Sequence, residues 1–372
     1  MKKSLLWVVV LILSISMVAA FSLYGCKPVA EEEAVAEEEP VAEEEAVAEE
    51  LSDIEIFKAY MEMAENGEYI GSPGEGKSIG FCNHVAGNPF PDAVEKGFRE
   101  QALLAGFAEE DIFILDNRRD AIVALENADI MLAKSPDVFI EFQIDAKANN
   151  IISRKFREAG IPMIAIDIPV PGAPFIGVEN WAVSTMNGEA AIKLVEEKWG
   201  GIDAVDKIFI FQDPQAGEVV MLRTEGFAQA FRDKYGEEVE EKIVYEPSGT
   251  GTADVAAAAA LNLLAAYPDA EKVVFTCLNT PATTGIISAF ETAGRYNSDN
   301  IIHFANGGDA PAIELLRSGK INGCIGFFPE LYGKKMIPVA LTLLDGALVP
   351  PFVYVNLNLI TMENVDDFYP ES

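Results

Sequence analysis

The chain has 372 residues, 60 acidic against 27 basic for a formal net charge of −33, with 50% hydrophobic residues, 2 His and 4 Cys. So acidic a balance excludes a nucleic-acid partner, because phosphate binding needs clustered Lys and Arg. Two histidines offer no metal-ligand spacing, and an odd three cysteines beyond Cys26, widely spaced, are no disulfide framework.

Residues 1–25 begin with Lys2 and Lys3 and continue as an apolar run from 5 to 21, the pattern of a secretory signal. The run is followed by Leu23-Tyr24-Gly25-Cys26: an apolar residue, a small residue and then cysteine. This resembles the end of bacterial lipoprotein signal peptides. The resemblance implies a lipid on Cys26 and an exported chain anchored to the cell membrane, facing the periplasm or the exterior. The competing reading is an uncleaved membrane helix, for which ~17 apolar residues is the lower limit. Residues 26–50 repeat the unit Val-Ala-Glu-Glu-Glu with 11 glutamates and a single lysine. Such a segment repels itself and has no means of forming a core, so it reads as an extended tether.

Of the net charge, the signal carries +2 and the tether −10, leaving about −25 on a body long enough for two cores. Residues 51–75 open it with the capping box Ser52-Asp53-Ile54-Glu55, a short amphipathic helix and a Gly/Pro turn. From Lys77 short apolar strands are predicted at 79–82, 112–115, 138–142 and 163–166. Helical patterns lie between them at 121–132 and 148–159, and Gly160-Ile161-Pro162 is a helix stop. The rhythm restarts with a helix over 185–198 and strands at 207–211, 242–245, 272–276, 300–304 and 321–325. Helices are predicted at 217–234, 253–266 and 333–344, and the end from 352 to 360 is β-rich. Strands alternating with helices mean βαβ units, so the expected class is α/β, two doubly wound parallel sheets in series. Cys82, Cys277 and Cys324 fall inside apolar strands and read as buried small hydrophobes, with a Cys277–Cys324 bridge left open.

In such sheets ligands bind beyond the C-terminal strand ends. Those positions hold His84, Asn88 and Phe90, then Glu141, Gln143 and Asp167, and in the second half Asp213, Asn279, Asn306, Asp309 and Phe327. Amides and carboxylates interleaved with aromatics suit a polar ring-shaped ligand, with hydrogen bonds at its edge and rings on its faces. Each Asn or Asp singly could also be a helix cap.

Two catalytic patterns were weighed. Gly71-Ser72-Pro73-Gly74-Glu75-Gly76-Lys77-Ser78 matches G-x-x-x-x-G-K-S at every position, yet it follows a polar helix end and precedes a strand. A phosphate cradle needs the reverse order, strand then helix, so the segment reads as a turn. No nucleophile elbow or triad spacing is present. The chain is therefore expected to be no enzyme, with no catalytic residue, metal or cofactor.

The ordered segments Asn88-Pro89-Phe90, Gly160 to Asp167, Gly177-Val178-Glu179-Asn180, Arg223-Thr224-Glu225-Gly226-Phe227 and Tyr267-Pro268-Asp269 resemble the type I periplasmic binding proteins. The likeness is to the ribose- and galactose-binding clade shared with LacI-type repressor cores, over roughly 76–360. It implies a periplasmic-binding-protein-like fold of two lobes joined by three hinge crossings, one from 76–178 plus 329–354 and the other from 179–328 plus 355–372. It further implies a monomeric solute-binding component of an ABC transporter, handing a small molecule to a permease. Together with the strand-end positions, it gives Asn88, Phe90, Gln143, Asp167, Arg223, Asn279, Asn306 and Phe327 as ligand-binding candidates. The sequence departs from the sugar-binding pattern at Pro91, Ile168, Ala305 to Asn306 and Phe327. A sugar is the default expectation, with a nucleoside or other aromatic ligand, a sensor role toward a kinase or chemoreceptor, and a secreted enzyme as alternatives.

Overall fold

The computed structural model describes residues 51–248 and 251–371. The expected signal, Cys26 and the acidic tether lie outside the described residues. Asp53–Ser372 form one compact unit. Among the described residues no helix is long and apolar enough to cross a membrane.

After helix α1 (Asp53–Asn66) the first half runs β1 (Ile79–Asn83), α2 (Pro89–Leu104), β2 (Ile112–Asp116), α3 (Ala121–Lys134), β3 (Val138–Glu141), α4 (Ala146–Ala159), β4 (Met163–Ile166) and β5 (Phe175–Gly177). These strands pair in parallel and are joined at the edge, also in parallel, by β11 (Phe352–Tyr354), giving the order β11-β5-β4-β3-β1-β2. The second half runs α5 (Asn180–Leu194), β6 (Lys207–Phe211), α6 (Glu218–Tyr235), β7 (Ile243–Glu246), α7 (Ala253–Ala266), β8 (Val273–Thr276), α8 (Thr280–Thr292), β9 (Ile301–Gly307), α9 (Ala310–Arg317), β10 (Gly323–Gly326) and α10 (Gly333–Leu344). Its sheet has the order β12-β10-β9-β8-β6-β7, in which β12 (Asn358–Ile360) is antiparallel to β10; α11 (Val365–Phe368) closes the chain. Setting the edge strands aside, both sheets have the doubly wound order 2-1-3-4-5, the α/β class expected.

Both faces of each sheet are covered, so the strands read as near-continuous apolar runs. In the first sheet Phe81, Ile140 and Ile164 face a core shared with Phe98 of α2 and Ile337 of α10. The alternate residues Cys82, Phe139 and Ala165 face Ala128 of α3 and Phe156 of α4. Helix ends follow their caps: Asp120 accepts from Ile122 and Val123 N–H, Asp145 from Ala148 N–H, and Gly160 ends α4 at φ 70°.

Three local departures from the sequence reading have physical causes. Helix α5 starts at Asn180 rather than near 185, because Glu179 accepts from Trp181 and Ala182 N–H and caps it early. Strand β5 is only three residues long, too short to leave a periodic signal. Cys82, Cys277 and Cys324 are free and buried, so the bridge left open does not form. The glycine-rich segment is a series of turns leading into β1; there Ser78 donates from N–H and Oγ to Asp137 Oδ2 at 2.8 and 2.9 Å.

Helices α2 and α10 meet through glycine. A Cβ on Gly97 would lie 2.4 Å from the Glu330 carbonyl oxygen, and one on Gly333 would lie 2.0 Å from the Gly97 oxygen. Backbone cannot yield as a side-chain tip can. Gly97→Ala is therefore expected to destabilise the fold by about 1–3 kcal/mol through overpacking, measurable as a lower denaturant midpoint with an unchanged slope.

Candidate functional site

The C-terminal strand ends of both sheets border one cavity of ≈ 110 Å³. An ordered water takes roughly 10–15 Å³ of such space, so the cavity suits several waters or one small molecule and no polymer. The loop after β1 supplies His84 and Asn88, the first turn of α2 supplies Phe90 and Pro91, and the turn after β4 supplies Asp167 and Ile168. From the other sheet come α6, bringing Val220 and Arg223, the turn after β8 and the end of β10.

Asp167 sits at the centre. Its backbone is left-handed, φ 57°, uncommon for a side-chain-bearing residue but tolerated by Asp. The turn aims its carboxylate inward, where Oδ1 accepts from Tyr332 Oη at 2.9 Å. A Cβ on Gly177 would lie 2.7 Å from that same oxygen, so only glycine fits beneath it. Burial raises the Asp167 pKa from 3.8 to about 6, with Arg223 and the Tyr332 hydrogen bond pulling the other way.

Arg223, from α6, approaches from the other sheet. Its Nε donates to Asn180 Oδ1 at 2.8 Å and Nη1 to the Leu278 carbonyl at 3.2 Å. Guanidinium carries five N–H donors, so several remain for a ligand. Its Cζ lies 5.2 Å from the centre of the Phe327 ring, within cation–π range. Phe327 meets Phe90 edge-on at 6.2 Å, and Phe90 meets Tyr332 at 5.8 Å. An aromatic wall thus adjoins the charged pair.

A second wall is aliphatic. Ile168, Ala216, Val220 and Leu278 form one buried cluster with Ile144 against it, drawn from both sheets and all facing the cavity. Elsewhere on the lining Arg119 reaches across. A Cβ on Gly251 would lie 2.5 Å from Arg119 Nη2 and 2.9 Å from Asp213 Oδ2, so guanidinium and carboxylate converge over that glycine. Burial lowers the Arg119 pKa, while Asp213 and Asp254 oppose the shift.

Seven of the eight sequence candidates line the cavity: Asn88, Phe90, Asp167, Arg223, Asn279, Asn306 and Phe327. Gln143 does not. Its side chain is held in the β3–α4 turn, where Oε1 accepts from Asp145 N–H at 3.0 Å and Nε2 donates to the Asp120 carbonyl. Two of the seven are hydrogen-bonded to the protein through both amide atoms. Asn279 caps α8 and donates to the Gly251 carbonyl, and Asn306 accepts from Asn187 and donates to the Cys277 carbonyl. Asn88 caps α2 through its oxygen, which leaves its NH2 for the cavity. Sequence reasoning missed Arg119 and Tyr332 as site residues. The first was signalled by the strand-end position after β2; nothing local signalled the second. His84 adds a neutral imidazole, its pKa lowered to about 3 by burial, with Nδ1 unpartnered.

A two-lobed α/β body with a cavity bordered by the strand ends of both sheets defines a small-molecule binding fold. The chain belongs to the periplasmic binding protein domain family, whose family model matches residues 79–348. It is 21% identical to the ribose import binding protein of Bacillus subtilis over 288 residues, 77% of this chain and 88% of that protein. Among solved structures it is similar to an ABC transporter solute-binding protein of Mycobacterium smegmatis with bound glycerol (TM-score 0.67, 22% identity, 80% of this chain and 98% of that one). It is also similar to an ABC transporter periplasmic solute-binding protein of Actinobacillus succinogenes with bound D-allose (TM-score 0.65, 18% identity, 78% and 100%). These relatives are named as binding proteins and not as enzymes.

The raised Asp167 pKa gives a testable sign. The folded chain keeps this proton at a pH where the unfolded chain releases it. Its contribution to stability is therefore full below the unfolded value of 3.8 and is lost as pH rises through about 6. Denaturation of wild type and Asp167→Asn between roughly pH 3 and pH 8 is expected to show wild type losing stability relative to the variant across that window. The loss should be on the order of 2–3 kcal/mol.

Proposed function

We propose that the chain is a lipid-anchored, extracytoplasmic solute-binding protein that captures one small polar ligand, a sugar, between its lobes and delivers it to an ABC importer. The observation that carries this reading is the Asp167–Arg223 pair. A carboxylate from one sheet and a guanidinium from the other are buried together beside the Phe90–Phe327 wall. Vicinal hydroxyls can donate to the first and accept from the second, while the apolar ring face rests on the phenyl groups. The relatives' names support a sugar or polyol, since they concern ribose, glycerol and D-allose.

The lobes are assigned as 76–178 with 329–354, and 179–328 with 355–372. Binding groups on both would favour a closed form through their differential contacts with the ligand. That form would present a surface for a permease, and lipid on Cys26 with the acidic tether would keep the body within reach of it. Ligand-contacting roles are assigned to Asn88, Phe90, Asp167, Arg223 and Phe327. Asn279, Asn306 and, more remotely, Gln143 act by holding the loops that present them.

Thermal-shift screening of the purified full-length chain against sugars, polyols, nucleosides and amino acids is the first test. A sugar should raise the melting point in proportion to the logarithm of its concentration over Kd, and a response to nucleosides alone would overturn the assignment. Arg223→Ala should weaken binding by roughly 10- to 100-fold, the loss of a charged hydrogen-bond donor to the ligand. Because Arg223 also bonds Asn180 and Leu278, the variant should lose about 1–3 kcal/mol of stability as well. Calorimetry with a parallel denaturation curve separates the two effects. For the anchor, Cys26→Ser should move the chain from the membrane to the soluble fraction.

A further inference from the structure

The geometry points to the sugar class: we infer that the preferred ligand is a hexose ending in a methyl group instead of a primary alcohol, that is, a terminal-deoxy sugar. This rests on the sugar reading above and sharpens it. The lining side chains with hydrogen-bonding capacity left are Asp167 at Oδ2, Arg223, Asn88 at its NH2, His84 at Nδ1, Arg119, and Asp213 and Asp309 at Oδ2. Ile144, Ile168, Ala216, Val220 and Leu278 offer no side-chain polar atom over their part of the lining.

The amides nearest that wall in sequence are already engaged by the protein. Asn279, directly after Leu278, is bonded through both amide atoms to Ala282 N–H and the Gly251 carbonyl. Asn306 is bonded through both to Asn187 and the Cys277 carbonyl. The Leu278 carbonyl already accepts from Arg223. A primary hydroxyl laid against this wall would give up its water partners to five side chains that have none to offer in return. A methyl group in the same place only exchanges water for carbon. The ring hydroxyls remain on the Asp167–Arg223 side, where donors and acceptors wait.

The test is calorimetry on the full-length chain with matched pairs differing only at the terminal carbon: fucose against galactose, and rhamnose against mannose, each within one stereochemical series. The methyl-ended member of at least one pair should bind about tenfold tighter or more than its alcohol, the range one such group commands in an apolar pocket. Equal or tighter binding of the alcohols in both pairs overturns the inference and leaves the sugar reading intact. Failure of every sugar, with binding of a nucleoside or amino acid, overturns both. Val220→Thr, nearly unchanged in volume, places a hydroxyl on the wall. It should reduce the methyl preference several-fold, and an unchanged ratio would show that the terminal carbon does not meet this wall.

Discussion

The rest of the molecule is arranged around one electrostatic problem, the burial of Asp167. A carboxylate removed from water is tolerated only with partners, and its pKa of about 6 shows that they compensate its desolvation only in part. The partners come from far along the chain. Tyr332 precedes α10, and Arg223 lies on α6 in the other half. Gly177, at the end of β5, leaves the room the carboxylate needs. One charge thus ties together the end of β4, the end of β5, the residue before α10 and helix α6. It lies where any ligand entering the cavity will meet it.

The two sheets solve the same design twice. Each has its switch point beside its first strand, and each sends loops from the C-terminal strand ends toward the other. Those loops must start helices as well as bind, and the two duties compete for the same side chains. Asn279 is taken by helix α8, and Asn306 by the framework between β8 and α5. The polar recognition that remains rests largely on charged groups, Asp167, Arg223, Arg119, Asp213 and Asp309. Apolar groups, Ile168 and Phe327 among them, occupy much of the remaining lining.

Most of the architecture was legible in the sequence because buried parallel strands are apolar without interruption and their helices carry clear stops, as at Gly160 and Pro162. What escaped was of two kinds. Strand β5 is three residues long, defined by its neighbours and not by periodicity, whereas β11 and β12 fall in the end from 352 to 360 that reads as β-rich. Tyr332 lies 165 positions from the Asp167 it serves, a separation no local pattern records. Gln143 shows the converse: the strand-end position was right, yet a turn claimed the amide. Positional reasoning locates a loop at the cavity, but the direction of a side chain depends on which backbone N–H groups need a partner.

On the proposed closing motion, Arg119 would give the cavity a kinetic character. Its guanidinium spans from the loop after β2 to Asp213, with Asp254 adding to the attraction, and all three belong to an otherwise strongly acidic body. Opening of the lobes would separate these opposite charges, whereas closing would bring the Arg119 guanidinium toward carboxylates. Dissolved ions would weaken that attraction over about 10 Å at moderate ionic strength. The time a captive molecule spends inside would then be governed partly by the ions outside, even when that molecule carries no charge.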